Sequence, residues 1–238
     1  MPAWFIVLLI FISSLPLIAV FIWFKLAKYQ FSIYRFLFTL LAGATAVFPA
    51  IILQRLLDFS FYNSRAAIFF HHFINTALTE ELSRLLVLLV LFWISARILD
   101  DRLSISTRNQ PPSLKIIKKA TASGLIAGLG FALLENAVYA ASDINVLPFR
   151  IILTTAIHGA CGSRIGAAAV TIRSNPVRAT MRILTATAIH GIYNLLVDIP
   201  GISQITAILI AVSAFLTTIL TIRGGWLGEN SENLQNSP

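Results

Sequence analysis

The chain has 238 residues, of which 57% are hydrophobic and only 12% charged, against roughly 25% charged in an ordinary soluble domain. This composition excludes a soluble globular enzyme, and the net charge of +8 is concentrated in particular loops, where it reports membrane topology rather than nucleic-acid binding. Cys161 is the only cysteine, so neither an intramolecular disulfide nor a thiolate metal cluster can form.

In chain order, apolar runs predict seven helical spans at about 3–24, 36–57, 66–97, 115–141, 150–171, 178–198 and 202–222. Together they predict an all-α, polytopic transmembrane bundle: one domain over 1–222, a motif-bearing core over about 66–198, and a polar, disordered tail over 223–238. The first run, AWFIVLLIFISSLPLIAVFIWF, has no basic residue ahead of it and is followed by Lys25 and Lys28, so a retained span is expected rather than a signal peptide. Segment 66–97 is too long for one upright crossing, because its 32 residues would extend roughly 48 Å against a hydrocarbon core of about 30 Å. An interfacial start around AAIFFHHF, including His71 and His72, with membrane entry near Asn75, resolves the excess.

Basic residues fall in alternate loops: Lys25, Lys28 and Arg35; Arg97, Arg102, Arg108, Lys115, Lys118 and Lys119; Arg173, Arg178 and Arg182; and Arg223. The opposite loops hold only Arg55, Arg65 and Arg150. The positive-inside rule then places the N-terminus outside and the C-terminus in the cytoplasm. Two small-residue spacings, Gly124 with Gly128 and Gly162 with Gly166, predict close helix packing.

The word TAIHG occurs twice, at Thr155–Gly159 and at Thr187–Gly191, each time deep in an apolar stretch. Ionisable residues in spans are expensive and face a bundle interior or a water-filled cavity; here they are Glu80, Glu81, Arg84, Glu135, His158, Arg164 and His190, accompanied by Asn136 and Asn194. At 1.5 Å per residue, Glu135, His158 and His190 lie roughly 9–12 Å below the outer surface, and Glu80 and Glu81 share that layer if their span begins near Asn75. Antiparallel fifth and sixth helices bring the two mid-helix histidines to one level. Glu80 with Arg84, and His190 with Asn194, are i,i+4 neighbours on single helix faces, and the Glu80–Arg84 pair reads as structural. Cys161 reads as a small packing residue.

Two hydrolytic chemistries fit this set. Glu135, His158 and His190 can hold a divalent metal such as zinc in the His₂Glu manner, with a water at the open position. Alternatively, a desolvated glutamate acts on water without an ion, while a histidine or Asn194 hydrogen-bonds the developing oxyanion. No H-E-x-x-H motif is present, so a conventional metalloprotease is not supported. The competing readings are a non-catalytic membrane scaffold or substrate-binding protein, a proton-coupled transporter, and a haem protein with axial His158 and His190. The absence of lysine from the seventh span argues against a retinal Schiff base.

The series Glu80-Glu81-x-x-Arg84, Phe131-x-x-x-Glu135, His158 followed by small residues, and His190-x-x-x-Asn194 resembles the PrsW-type intramembrane proteases, distant relatives of the type II CAAX prenyl endopeptidases and bacterial CPBP proteins. Arg84 stands where lysine is commoner, and the CAAX-type relatives carry histidine where Glu135 stands, so the resemblance is to the PrsW branch. It implies a multi-pass cell-membrane endopeptidase, in which Glu80 is the water-activating base and Glu81, Glu135, His158, His190 and Asn194 complete the site. It further implies a membrane-anchored substrate of the anti-sigma-factor kind, cut on its extracytoplasmic side within the lipid bilayer, and no nucleic-acid partner.

Overall fold

The computed structural model describes residues 3–27, 29, 32–57, 65–98, 111–199 and 201–235; Lys28, Arg102 and Arg108 of the basic loops lie outside the described residues. Among these residues every regular element is helical. The helices are α1 (Ala3–Ser13), α2 (Leu15–Leu26), α3 (Ile33–Thr45), α4 (Val47–Leu56), α5 (Arg65–Phe69), α6 (Thr79–Ile98), α7 (Leu114–Ser142), α8 (Leu147–Phe149), α9 (Thr155–Thr171), α10 (Pro176–Val197) and α11 (Ile202–Gln235). Two π-helical segments, Phe70–Leu78 and Arg150–Thr154, lead directly into α6 and α9.

Prolines subdivide two of the expected spans. Pro16 and Pro49 have no backbone N–H and their rings crowd the carbonyl four residues earlier; the first span accordingly breaks at Ser14 and the second at Ala46. The hydroxyls of Ser14 and Thr45 donate to the carbonyls of Phe11 and Ala42 at these breaks. Side-chain caps begin other helices: Ser32 accepts from the Arg35 N–H, and Asn175, followed by Pro176, accepts from the Arg178 N–H. Gly201, with φ of 90°, turns the chain from α10 into α11.

Three stretches are long and apolar enough to cross a membrane: Ile33–Leu56, Leu114–Ser142 and Ser203–Arg223. The remaining expected spans do not stand out by that measure, for physical reasons. α9 has 17 residues, and α6 carries Glu80, Glu81 and Arg84 in its first two turns. α11 continues to Gln235, so the tail expected to be disordered is helical to that residue; the sequence has no proline before Pro238 to end it.

The bundle is apolar outside and partly polar inside. Leu209, Val212, Leu216 and Leu220 of α11 and Phe48 and Ile52 of α4 are exposed, whereas Glu80, Glu81, Arg84, His158 and His190 are buried. α7 occupies the centre, packed along α9 on one side and α3 on the other. Its glycines make this possible, as their spacing predicts. A Cβ on Gly124 or Gly128 would collide with the backbone of Gly162 or His158, and one on Gly166 with that of Ala120. Toward α3, Gly43 meets the Ala127 backbone and Gly130 that of Leu40. Helices that touch backbone to backbone gain dispersion contacts that lipid cannot supply.

Gly128→Leu should therefore lower stability by about 3 kcal/mol or more, since the obstacle is main chain and cannot rotate away. A thermal melt in detergent checks this; a wild-type melting temperature would show that α7 and α9 are not closely packed.

A candidate Glu/His metal centre

Four helices contribute to one buried cluster. Glu80 and Glu81 open α6, Glu135 lies in the last third of α7, His158 in the first turn of α9 and His190 in the last third of α10. Because α7 runs against α9 and α9 against α10, all five residues arrive at the same end of the bundle. The equal depth expected from residue counting is what the fold produces, and the two copies of TAIHG place imidazole rings 5.0 Å apart, nearly perpendicular.

Each histidine is held by its own carboxylate. His158 Nε2 lies 2.7 Å from Glu135 Oε2, which also receives Arg150 Nη2 at 2.8 Å. His190 Nδ1 lies 2.9 Å from Glu81 Oε1, which also receives Arg84 Nη2 at 2.6 Å. A carboxylate that is already paired with a guanidinium stays ionised and acts as an acceptor toward its histidine. The proton of each ring is thus assigned to the tied nitrogen, leaving the lone pairs of His158 Nδ1 and His190 Nε2 free.

Those two nitrogens face Glu80 Oε2, at 4.0 Å and 3.7 Å, distances too long for hydrogen bonds. Among the described residues, Glu80 Oε2 and His158 Nδ1 are buried without a hydrogen-bond partner. Glu80 Oε1, by contrast, accepts from Gln54 Nε2 at 3.2 Å. Glu80, His158 and His190 therefore present three acceptor atoms within 4.8 Å of one another, with no donor between them. Buried acceptors in this arrangement fit a cation; ligands about 2 Å from one tetrahedral ion lie roughly 3.3 Å apart, so the three atoms would draw a few tenths of an ångström closer around it. The tied nitrogens reproduce the carboxylate–histidine support common around bound metals.

Several expectations change at this level. The carboxylate that joins the histidines is Glu80, not Glu135, because Glu135 is turned to the far nitrogen of His158 and to Arg150. Arg84 pairs most closely with Glu81; its distance to Glu80 is 3.6 Å, since Glu80 is drawn toward Gln54 and the rings. Arg84 also donates to the His158 carbonyl at 3.3 Å and lies 4.6 Å from the centre of the Phe131 ring. Asn194 is half-buried one turn beyond His190 and makes no side-chain hydrogen bond to the cluster. The Cys161 thiol is buried and directed at the Ala186 carbonyl, as a packing residue would be. His72 is buried, 3.3 Å from the exposed Asp198 at the end of α10, while His71 is exposed.

Residue counting overlooked Gln54 and Arg150. Gln54 is the one amide in an otherwise apolar run. Arg150 stands among the few basic residues that oppose the charge bias of the loops, and a cation on that side needs a local reason. It has one: besides Glu135, its Nε donates to Asn136 Oδ1 at 3.1 Å, and its guanidinium stacks 3.7 Å from the Tyr139 ring centre. Asn136 in turn donates to Thr155 at 2.9 Å, joining α7 to the start of α9.

A family model described as "PrsW family intramembrane metalloprotease" matches residues 32–220. No curated protein and no solved structure matches the chain.

Removing Arg84 would leave Glu81 buried and uncompensated. Arg84→Met should cost about 3–5 kcal/mol, whereas Asn194→Ala should stay within about 1 kcal/mol. Comparison of the two melting curves checks the contrast, and equal curves would contradict the ion pairing described.

Proposed function

The chain belongs to the PrsW family of intramembrane metalloproteases, and we propose that it is an endopeptidase that hydrolyses membrane-anchored proteins near the extracytoplasmic face, with Glu80, His158 and His190 as its reactive centre. The observation that carries this reading is the convergence of three acceptor atoms, two of them buried without partners, between histidines that are each anchored from behind.

Glu80 Oε2, His158 Nδ1 and His190 Nε2 are the atoms that would hold a divalent cation. Such an ion, when bound, supplies Lewis-acid polarisation of a water or of the scissile carbonyl. The protein's own groups do the rest. Where no ion engages Oε2, Glu80, steadied through its other oxygen by Gln54, takes the proton from the attacking water itself. Glu135 and Glu81 are positioning residues that orient the two rings. Asn194, half-buried one turn beyond His190, is the candidate donor to the developing oxyanion.

The topology follows the same logic. The cluster lies toward the connections at 143–154 and 198–201, while Lys115, Lys118, Lys119, Arg173 and Arg178 lie at the opposite end of the same helices. Cytoplasmic basic loops put the cluster in the outer leaflet, in a seven-span arrangement with the N-terminus outside. A substrate with a single span and an extracytoplasmic domain, of the anti-sigma-factor kind, would present its membrane-proximal peptide at that depth.

The test uses lipid nanodiscs holding the protein or its Glu80→Gln variant, mixed with a set of single-span membrane proteins, and mass spectrometry of new termini. Cuts by the wild type should fall by at least ~10²-fold in Glu80→Gln at an unchanged melting temperature. Undiminished cutting by the variant would remove Glu80 from the mechanism. In parallel, a divalent metal should co-purify with the wild type and be lost in His158→Ala and His190→Ala; cutting that survives a chelator would favour a glutamate acting without an ion.

A further inference from the structure

At the other end of the bundle, α7, α9, α10 and α11 enclose a second polar space of about 190 Å³, several times the roughly 30 Å³ that one water occupies in the liquid. Its walls carry Arg164 and Arg182 with the hydroxyls of Thr121, Ser163, Thr218 and Thr221. Among the described residues no carboxylate lines it. Neither arginine forms an ion pair among the described residues: Arg164 donates to the Ala160 carbonyl at 2.8 Å and to Thr217 at 3.0 Å, and Arg182 to the Ala167 carbonyl at 3.0 Å and to Thr171 at 3.0 Å. Both guanidiniums are half-buried, and they keep donors beyond those bonds, since each carries five N–H groups. Half-buried cations with no counter-ion among the described residues contrast with Arg84 and Arg150, which are each matched to a glutamate.

We propose that this cavity binds a phosphate monoanion, and that the phosphate is the headgroup diester of an anionic phospholipid. Guanidinium groups recognise phosphate oxygens with a planar fork of donors, while the hydroxyls of Thr121, Ser163, Thr218 and Thr221, which donate to backbone carbonyls, make the remaining walls polar. The surroundings favour a lipid over a free anion. Thr217 and Thr221 on the α11 wall are exposed, and beside them Leu216 and Leu220 are exposed as well. On α10, Met181 and Leu184 flank Arg182 and are also exposed. The polar pocket is thus bordered by apolar helix faces along which acyl chains can lie. Lys115, Lys118 and Lys119 at the start of α7, with Arg173 between α9 and α10 and Arg178 in the first turn of α10, place it at the basic end of the bundle, where anionic headgroups concentrate. Arg164 is six residues beyond His158 on α9, so an occupant of this pocket lies apart from the Glu/His cluster while sharing its helix.

The measurement is native mass spectrometry of the full chain released from micelles containing equal phosphatidylglycerol and phosphatidylcholine. The wild type should retain phosphatidylglycerol over phosphatidylcholine by roughly tenfold. Arg164→Gln with Arg182→Gln should abolish the preference. Thr221→Phe, which fills the exposed wall and leaves both charges in place, should do the same and guards against a misfolded double variant. A preference unchanged in both variants, or absent from the wild type, overturns the proposal. Added inorganic phosphate distinguishes the sources: if it raises the melting temperature of wild type but not of Thr221→Phe while no lipid is retained, the lipid assignment is overturned in favour of a free anion. If it does neither and lipid retention persists, the headgroup assignment stands.

Discussion

Backbone contact between α7 and α9 is the constraint on which the other features rest. Gly124, Gly128, Gly162 and Gly166 remove the side chains that would hold these helices apart. Only at that separation does Glu135, leaning back toward the start of its own helix, reach His158 at 2.7 Å. The His158 carbonyl faces Gly128 across the crossing and also accepts from Arg84, so one residue ties α6, α7 and α9 together through its main chain while its ring serves the centre.

The interior charges form a single line of contacts: Arg150, Glu135, His158, Glu80, His190, Glu81 and Arg84. Arg150 closes one end, and Arg84 bends back from the other to 3.6 Å from Glu80 Oε2, the oxygen that also faces both rings. With neutral imidazoles, three carboxylates face two guanidiniums, leaving one negative charge in excess. A buried charge of that kind is tolerated where an ion or a proton is expected to visit. The same reasoning, with the sign reversed, applies to Arg164 and Arg182. Among the described residues, the Glu/His cluster is thus short of positive charge and the Arg164/Arg182 space short of negative.

Much of this was legible in the residues themselves. The all-helical class, the tight Gly124/Gly128 and Gly162/Gly166 crossing, and the meeting of Glu80, Glu81, Glu135, His158 and His190 follow from apolar runs, small-residue spacing and residue counting. The identity of the carboxylate between the rings did not follow. Glu80 and Glu81 are adjacent, about 100° apart around α6, and which of them faces His190 depends on packing against Gln54 and Arg84. Arg150 was hidden because a loop arginine resembles any other until its partner is known. The breaks at Ser14 and Ala46 were visible in Pro16 and Pro49 but lay inside runs whose hydrophobicity dominated the reading.

The π-helical segments Phe70–Leu78 and Arg150–Thr154 each end immediately before a site-bearing helix. A π turn absorbs an extra residue without breaking the helix, and each residue of α-helix is worth about 100° of rotation. Loss of a single residue from either segment would let regular α-helix run through and turn everything on one side of it by more than a quarter of a circle relative to the other. The orientation of the Glu80/Glu81 pair and of His158 is thus a matter of helical phase, and chain length in these two stretches is as much a part of the site as the identity of its side chains.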